Sequence, residues 1–202
     1  MSELVRFTLC ARQPELGAAW EESFADVEAV EVSVGDILQL PADAIVSPAN
    51  SFGYMDGGID LAYSKHFGWE PEKRLRALLL ADHHGELPVG QAVIVELGAR
   101  GIRWLISAPT MRVPQDVSKT VNAYLAFRAI LRAIQAHNQS GLEPIRTVLC
   151  PGLGTGEGRM TPELCALQMR EAWQVVMEGE LLKKGGLAGA VRNHLALLGE
   201  SE

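Results

Sequence analysis

Short apolar runs alternate along this chain with longer segments in which apolar residues recur every three or four positions. Runs of the first kind predict β-strands at residues 5–11, 29–35, 43–48, 91–97, 102–109 and 145–151. Segments of the second kind predict α-helices at residues 14–24, 59–68, 71–84, 118–139 and 161–179. Strands that alternate with helices predict an α/β fold, with helices on both faces of a mixed sheet.

The domain organisation follows from the continuity of this pattern. No internal repeat, low-complexity tract or linker interrupts it, so residues 1–180 are predicted to form one domain. Ser118 and Thr161 each precede a helical segment and are expected to act as N-caps. The tail, residues 181–202, is predicted to be a helix that docks on the domain or on a second copy of the chain.

Composition and charge exclude several functional classes. The chain has 202 residues, of which 48% are hydrophobic and 21% charged, as in an ordinary globular domain. Its net charge is −7 and its Lys and Arg residues are scattered, which argues against sequence-specific nucleic-acid binding. No apolar run approaches the roughly 18–20 residues of a membrane span, so no membrane partner is expected.

The predicted setting is a reducing, cytoplasmic one. The N-terminal stretch MSELVRFTLC lacks the basic region and long apolar run of a signal peptide. The three cysteines, Cys10, Cys150 and Cys165, show no metal-ligand spacing and are expected to be buried thiols. The five histidines show no such spacing either, so neither a metal nor another cofactor is expected.

Two glycine-rich loops follow predicted strands. SPANSFGYMDGGID occupies residues 47–60, and PGLGTGEGRMTP occupies residues 151–162. The second does not fit a dinucleotide motif, which needs a glycine where Glu157 stands, nor a P-loop. Alternating glycines can nevertheless point successive N–H groups at an anion, and Thr155 adds a hydroxyl. Since ligands sit beyond the carboxyl ends of strands in α/β sheets, both loops are candidate binding segments.

The two loops together with VGDI at residues 34–37 resemble the macro domain family of ADP-ribose-binding modules, over about residues 29–180. The resemblance implies a three-layer α/β/α sandwich. It also implies that Asp36 and the Ile37 N–H recognise adenine and that Asn50 binds the distal ribose. The segment Gly57, Gly58 and Ile59 would approach the second phosphate. The implied diphosphate loop comprises Gly152, Leu153, Gly154, Thr155, Gly156, Glu157 and Met160.

From the residues alone, other roles stay open. Asp36 also suits a turn cap, Asn50 an Asx-turn and Gly57–Gly58 a plain turn before a helix. Asp60 is placed like the catalytic aspartate of the branch that hydrolyses mono-ADP-ribosylated acidic side chains and O-acetyl-ADP-ribose, with Asn50 beside it. It also suits the first turn of a helix. Lys65 resembles the lysine nucleophile of a divergent branch, and equally a solvent-facing helical lysine.

Three departures from the family pattern stand out. Ser47–Pro48 replace the usual Asn-Ala before Ala49–Asn50, which removes one amide from the ribose site. Arg159 and Met160 stand where an aromatic normally covers the ligand, so either Met160 packs on the ribose or Arg159 caps a phosphate. The usual last strand is missing, and the strand–helix unit at residues 5–24 is predicted to supply that sheet position.

The resemblance implies a protein that binds ADP-ribose, or an ADP-ribosylated protein or metabolite. It further implies an ADP-ribosyl hydrolase or O-acetyl-ADP-ribose deacetylase. The alternatives are a non-catalytic ADP-ribose reader, an ADP-ribose 1″-phosphate phosphatase, and an assembly protein that kept the fold without the pocket. A homo-oligomer is compatible with the sequence.

Overall fold

A computed structural model describes residues 4–98, 101–180 and 185–200. The strands in these ranges are β1 (Arg6–Ala11), β2 (Val30–Val34), β3 (Ala44–Ser47), β4 (Val93–Glu96), β5 (Trp104–Ser107) and β6 (Thr147–Pro151). The α-helices are α1 (Pro14–Ser23), α2 (Gly58–Phe67), α3 (Glu70–Asp82), α4 (Asn122–Gln139), α5 (Pro162–Val176) and α6 (Gly186–Leu197). None of these helices is both long and apolar enough to cross a membrane.

The strands form one sheet in the order β2-β1-β6-β3-β5-β4. Neighbouring strands run parallel except β4, which pairs antiparallel with β5 as the hairpin pattern predicts. Strand β1 lies inside the sheet, since Phe7 is in register with Val30 on one side and Val148 on the other. The N-terminal strand–helix unit is therefore part of the sheet structure, and β3 and β6 are adjacent near its middle.

Helices cover both faces of this sheet, which confirms the predicted α/β/α sandwich. Alternate strand residues face opposite sides, so Val46 enters the larger core and Ile45 the smaller one. The larger core lies under α1, α4 and α5, where the Phe7 ring meets Phe127 and Trp173 edge-on, with centroids 5.7 Å apart in each pair. The smaller core lies under α2 and α3. All three cysteines are buried free thiols, as expected.

The two predicted N-caps have different outcomes. Thr161 caps α5, because its hydroxyl accepts a hydrogen bond from the Leu164 N–H at 3.3 Å. The prediction for Ser118 is wrong: α4 begins at Asn122 instead. The Asp116 carboxylate accepts from both the N–H of Ser118 at 2.9 Å and its hydroxyl at 2.6 Å, so these residues form a side-chain-closed turn ahead of the helix.

The tail contributes helix α6, which lies against α5. Leu197 is buried, and its carbonyl accepts a hydrogen bond from Gln168 Nε2 at 2.8 Å. Asn193 Nδ2 donates to Glu171 Oε1 at 2.8 Å. These contacts fix the helix on the domain. The rest of the predicted tail, residues 181–184 and 201–202, lies outside the described residues.

Candidate functional site

Three loops meet at the carboxyl ends of the central strands. We call residues 48–57 after β3 the first glycine loop and residues 152–160 after β6 the second glycine loop. Residues 108–118 after β5 form a third loop, which we call the bridging loop because it is hydrogen-bonded to both glycine loops. The Ser51 N–H donates to the Arg112 carbonyl at 3.1 Å, and the Val117 N–H donates to the Gly158 carbonyl at 2.9 Å. The bridging loop therefore holds both glycine loops in place.

Sequence reasoning missed the bridging loop. Thr110 anchors it, since its hydroxyl donates to the Pro48 carbonyl at 3.1 Å and its carbonyl accepts from Asn122 Nδ2 at 2.8 Å. The sequence prediction left only residues 110–117 for this connection, because it extended the elements on both sides. In the structure β5 ends at Ser107 and α4 begins at Asn122, which leaves 14 residues between them. A connection of that length without periodicity is uncommon in a compact domain and is usually functional.

Asn50 fixes the shape of the first glycine loop. Its Nδ2 donates to the Tyr54 carbonyl at 2.8 Å, and its Oδ1 accepts from the N–H groups of Phe52 at 3.0 Å and Tyr54 at 3.4 Å. The Asx-turn expected from the residues alone is thus formed. These bonds use both lone pairs of Oδ1 and one of two amide hydrogens, so one amide N–H is left for a ligand.

Three glycines of the second loop are required by the loop itself. Gly154 has φ +73°, which favours glycine strongly. A Cβ on Gly152 would lie 2.3 Å from Thr155 Oγ1, and one on Gly158 would lie 2.5 Å from the Gly154 carbonyl oxygen. Packing or backbone conformation therefore accounts for each of these glycines without any ligand.

Gly156 and Gly57 have no such explanation. At both positions a Cβ would point into open space, and neither has a positive φ. Gly57 is the N-cap of α2 with φ −136°, an extended conformation in which Ser, Asp or Asn would cap the helix at least as well. The next residue, Gly58, also faces open space but has φ +54°, so its backbone alone accounts for glycine. The two unexplained glycines lie on loops that leave adjacent strands.

Backbone donors are available beside both of these glycines. The first hydrogen bond of α2 runs from the Leu61 N–H to the Gly57 carbonyl. Within the part of the chain that the structure describes, no group accepts from the N–H groups of residues 58–60 at the positive end of the helix. Among the described residues, no protein group accepts from the N–H groups of residues 154–157. Such groups suit an anion such as a diphosphate.

Asp36 follows β2 at the same end of the sheet, and β1 separates it from the second glycine loop. Its Oδ1 accepts from the Leu38 N–H at 3.0 Å and caps the 3₁₀ turn Ile37–Gln39. The carboxylate is exposed, so its second oxygen can accept from a ligand. The Ile37 side chain is buried in the smaller core, which leaves only its backbone available.

Burial distinguishes Met160 from Arg159, the two residues proposed to cover the ligand. Met160 is 3% exposed and packs in the larger core, because the turn from Gly154 to Met160 draws its side chain inward. Its side chain therefore does not lie over the cleft. Arg159 is exposed and has φ +54°. Leu153 is fully buried, so it offers only its backbone, whereas Glu157 is exposed at the loop tip.

Asp60 is the third residue of α2 and is 6% exposed. Its Oδ1 is buried without a hydrogen-bond partner in the protein. Burial raises the pKa of Asp60 to about 7, and the Ser47 hydroxyl opposes part of that shift. A carboxyl group with a pKa near neutrality suits proton transfer. Lys65, on the same helix, is exposed, which fits the solvent-facing interpretation of that residue.

Comparisons with known proteins fit this geometry. The family model described as Macro domain matches residues 46–169. An uncharacterized protein of Aquifex aeolicus is 34% identical over 142 residues, which span 70% of this chain and 79% of that protein. The macrodomain of Mycobacterium tuberculosis DarG superposes with a TM-score of 0.58 at 26% identity, covering 71% of this chain and 88% of that one. A variant Oceanobacillus iheyensis macrodomain, solved with ADPR, gives 0.55 at 20% identity, covering 67% and 71%.

Proposed function

This chain belongs to the macro domain family, and we propose that it binds ADP-ribose across the ends of β2, β6 and β3. The observation that carries the proposal is the pair Gly57 and Gly156, whose missing side chains leave open space that neither packing nor φ explains. A ligand lying against the backbone at both points accounts for this pair. The Oceanobacillus iheyensis macrodomain, of the same fold, was solved with ADPR.

Each part of ADP-ribose has a chemical counterpart in this proposal. The free N–H groups of residues 154–157 and of the α2 N-terminus bind the diphosphate, so a chain of net charge −7 needs no cluster of cations there. The Asp36 carboxylate accepts from the adenine amine. The remaining amide N–H of Asn50 binds a hydroxyl of the distal ribose, and exposed Arg159 lies beside the diphosphate.

Calorimetry with the glycine variants tests the binding proposal. In Gly57→Ala and Gly156→Ala, the added methyl group enters the space assigned to the ligand. We expect each to weaken ADP-ribose binding by at least about tenfold, or about 1.4 kcal/mol. Thermal stability should stay near that of the wild type in Gly156→Ala, whereas Gly57→Ala should lose up to about 1 kcal/mol, because alanine is a poorer N-cap than glycine. Wild-type affinity in both variants would show that the open space is not the ligand site.

A second, finer function is hydrolysis at the distal ribose, and Asp60 is the observation that favours it. Because its carboxyl is only 6% exposed, we propose that it acts on a water molecule that enters beside Gly57 and Gly58. With an ADP-ribosylated acidic side chain, the Asp60 carboxylate takes a proton as the water oxygen bonds to C1″, and the carboxylate of the substrate leaves with the electron pair of the broken C1″–O bond. A pKa near 7 makes the basic form available at neutral pH.

A substrate panel separates this activity from its rivals. The wild type and Asp60→Asn are assayed with a mono-ADP-ribosylated acidic protein, O-acetyl-ADP-ribose and ADP-ribose 1″-phosphate. Turnover of either of the first two by the wild type, lost in Asp60→Asn with ADP-ribose affinity retained, supports hydrolysis. Phosphate release from the third alone indicates the phosphatase. ADP-ribose binding without turnover of any substrate identifies a reader.

A further inference from the structure

Buried polar atoms without partners cluster in one part of this protein. Among the described residues, five buried side-chain nitrogen or oxygen atoms have no hydrogen-bond partner in the protein: Trp20 Nε1, Ser47 Oγ, Ser51 Oγ, Asp60 Oδ1 and Ser107 Oγ. Four of them lie in one region: Ser47 and Ser107 end strands β3 and β5, Ser51 lies in the first glycine loop, and Asp60 lies on α2. An unsatisfied buried polar group costs about 1–3 kcal/mol, so this cluster is a functional candidate.

The strand geometry places Ser47 and Ser107 together. They are register partners in the parallel pair of β3 and β5. Ile45 and Leu105, two residues earlier on each strand, face the smaller core, and side chains two apart share a face of a strand. Both hydroxyls therefore project into the layer between the sheet and α2.

Asp60 reaches the same layer from the other side. One turn after it on α2, the Tyr63 hydroxyl donates to the carbonyl of Val46 at 3.1 Å, which holds the start of the helix over the end of β3. The Ser47 hydroxyl is the group that opposes the effect of burial on the pKa of Asp60. Ser47 and Ser107 thus share this layer with Asp60, and each of the three carries a buried oxygen without a partner in the protein.

We propose that Ser47 is a positioning residue for Asp60. One bound water accepts hydrogen bonds from the Ser47 and Ser107 hydroxyls and donates to Oδ1 of the ionised Asp60 carboxylate, since none of these three atoms has a direct partner in the protein. This relay fixes the carboxylate orientation and favours its basic form. The relay itself is a property of the free protein, whereas its role in catalysis rests on the proposed hydrolysis by Asp60.

The surrounding titratable groups leave this role to the serines. Tyr63 lies one turn further along α2, and the Cys10 and Cys150 thiols act on it; burial raises the pKa of all three groups, so they are neutral at pH 7. The Asp36 carboxylate acts on Tyr63 as a further negative charge. From α3, Glu72 accepts from the Met55 N–H at 2.7 Å. None of these groups supplies a positive charge or a free donor to Asp60.

NMR titration of the Asp60 side-chain carboxyl carbon in the free protein tests the relay. We expect Ser47→Ala to raise the apparent pKa of Asp60 by about one unit, a tenfold change in the protonation equilibrium. Ser107→Ala shifts it in the same direction, and Ser47→Thr, which keeps the hydroxyl, restores the wild-type value. The matched control is Ser64→Ala, because Ser64 is also buried on α2 but its hydroxyl donates to the Met55 carbonyl at 2.8 Å.

An unchanged Asp60 titration in folded Ser47→Ala, or an equal shift in Ser64→Ala, overturns the proposal. If Ser47→Ala does not fold, Ser107→Ala is compared with the wild type under the same criterion. Should the wild type hydrolyse a substrate, the pH midpoint of kcat/KM, which reports the free enzyme, moves with the NMR value in each variant. A protein that shows the NMR shifts without turnover refutes the hydrolase and leaves the relay standing.

Discussion

Asn50 and Tyr54 are joined by two hydrogen bonds that close the first glycine loop on itself. Asn50 Nδ2 donates to the Tyr54 carbonyl at 2.8 Å, and Asn50 Oδ1 accepts from the Tyr54 N–H at 3.4 Å. The residue assigned to the distal ribose is therefore also the one that shapes its own loop. Binding then begins from a formed loop, which reduces the entropy that the ligand must offset.

Replacing Asn50 should affect binding more than folding. In Asn50→Ala the loop loses three hydrogen bonds and the ligand loses one, so we expect ADP-ribose affinity to fall by at least about tenfold in calorimetry. Asn138→Ala is the control, since Asn138 makes a similar reciprocal pair with Ile145 at the end of α4, each bond 2.8 Å long. Equal losses of affinity in both variants would contradict a specific role for Asn50.

Glycine-to-alanine substitutions in the second glycine loop should fall into two classes by their effect on the stability of the protein. Gly158→Ala places a Cβ 2.5 Å from a backbone oxygen, which cannot move aside easily. We expect the free energy of unfolding to fall by about 1–3 kcal/mol, measured by urea denaturation. Gly156→Ala should unfold like the wild type. A comparable loss in Gly156→Ala would mean that the loop needs that glycine for its own packing.

Much of the fold could be predicted because local signals and tertiary packing agree. Thr161 has a hydroxyl, a following proline and an apolar period, and all three favour a helix starting there. Ser118 carries the same cap signal but fails, because the neighbouring Asp116 carboxylate takes up its N–H and hydroxyl. Which side chain accepts the hydrogen bonds of a short turn depends on three-dimensional geometry, and a rule based on residue type at the N-cap does not include it.

The candidate site could be predicted only in part from the sequence, for a similar reason. Its glycine loops are visible as sequence, but the division of their glycines into packed and open positions requires coordinates. Met160 follows the loop directly in the sequence, yet the hydrogen bond from its N–H to the Gly154 carbonyl turns its side chain into the core. The bridging loop has no glycine pattern, and its role comes entirely from hydrogen bonds to other segments.

The start of α4 provides a test of long-range capping. The fully buried Gln168 on α5 accepts from the Tyr124 N–H at 3.1 Å, and its Nε2 donates to the carbonyls of Thr120 and Leu197, each at 2.8 Å. Gln168→Met removes all of these bonds and leaves buried backbone groups unpaired. We expect a loss of about 2–4 kcal/mol in the free energy of unfolding.

The control for Gln168→Met is Gln135→Met on α4, whose amide donates to the Met177 sulfur at 3.8 Å. It should change the unfolding free energy by less than about 0.5 kcal/mol. A small effect of Gln168→Met in the same urea titration would show that α4 and α6 are held without this amide.

Stability should depend on pH through Asp60. The pKa of Asp60 is about 7 in the folded chain and near its ordinary value of 3.8 when unfolded. Between these values the folded state keeps a proton that the unfolded state has released, so stability falls as pH rises through this window. Asp60→Asn removes that dependence, and its stability relative to wild type should rise by up to about 4 kcal/mol from pH 4 to pH 8.

The opposite sign is expected for Asp116. Hydrogen bonds from Ser118 lower the pKa of Asp116, so its contribution is present above the ordinary carboxyl pKa and is lost as pH falls below it. Asp116→Asn should therefore be less stable than the wild type at neutral pH. In a denaturation series over pH, this difference in the free energy of unfolding should disappear only in acid.

The prediction for Asp60 has its own contrary outcome. A stability difference between Asp60→Asn and the wild type that stays constant across pH would mean that the Asp60 carboxyl is ionised in the folded protein.

Backbone amide chemical shifts during titration with ADP-ribose test the central claim most directly. We expect saturable shifts, at one ligand per chain, in the backbone amides of residues 154–157 and 58–60, together with a shift of the Asn50 side-chain amide. The groove between α1 and β2, lined by Trp20, Phe24 and Val32, should stay unperturbed. No saturable shift, or shifts confined to that groove, would contradict ADP-ribose binding between the two glycine loops.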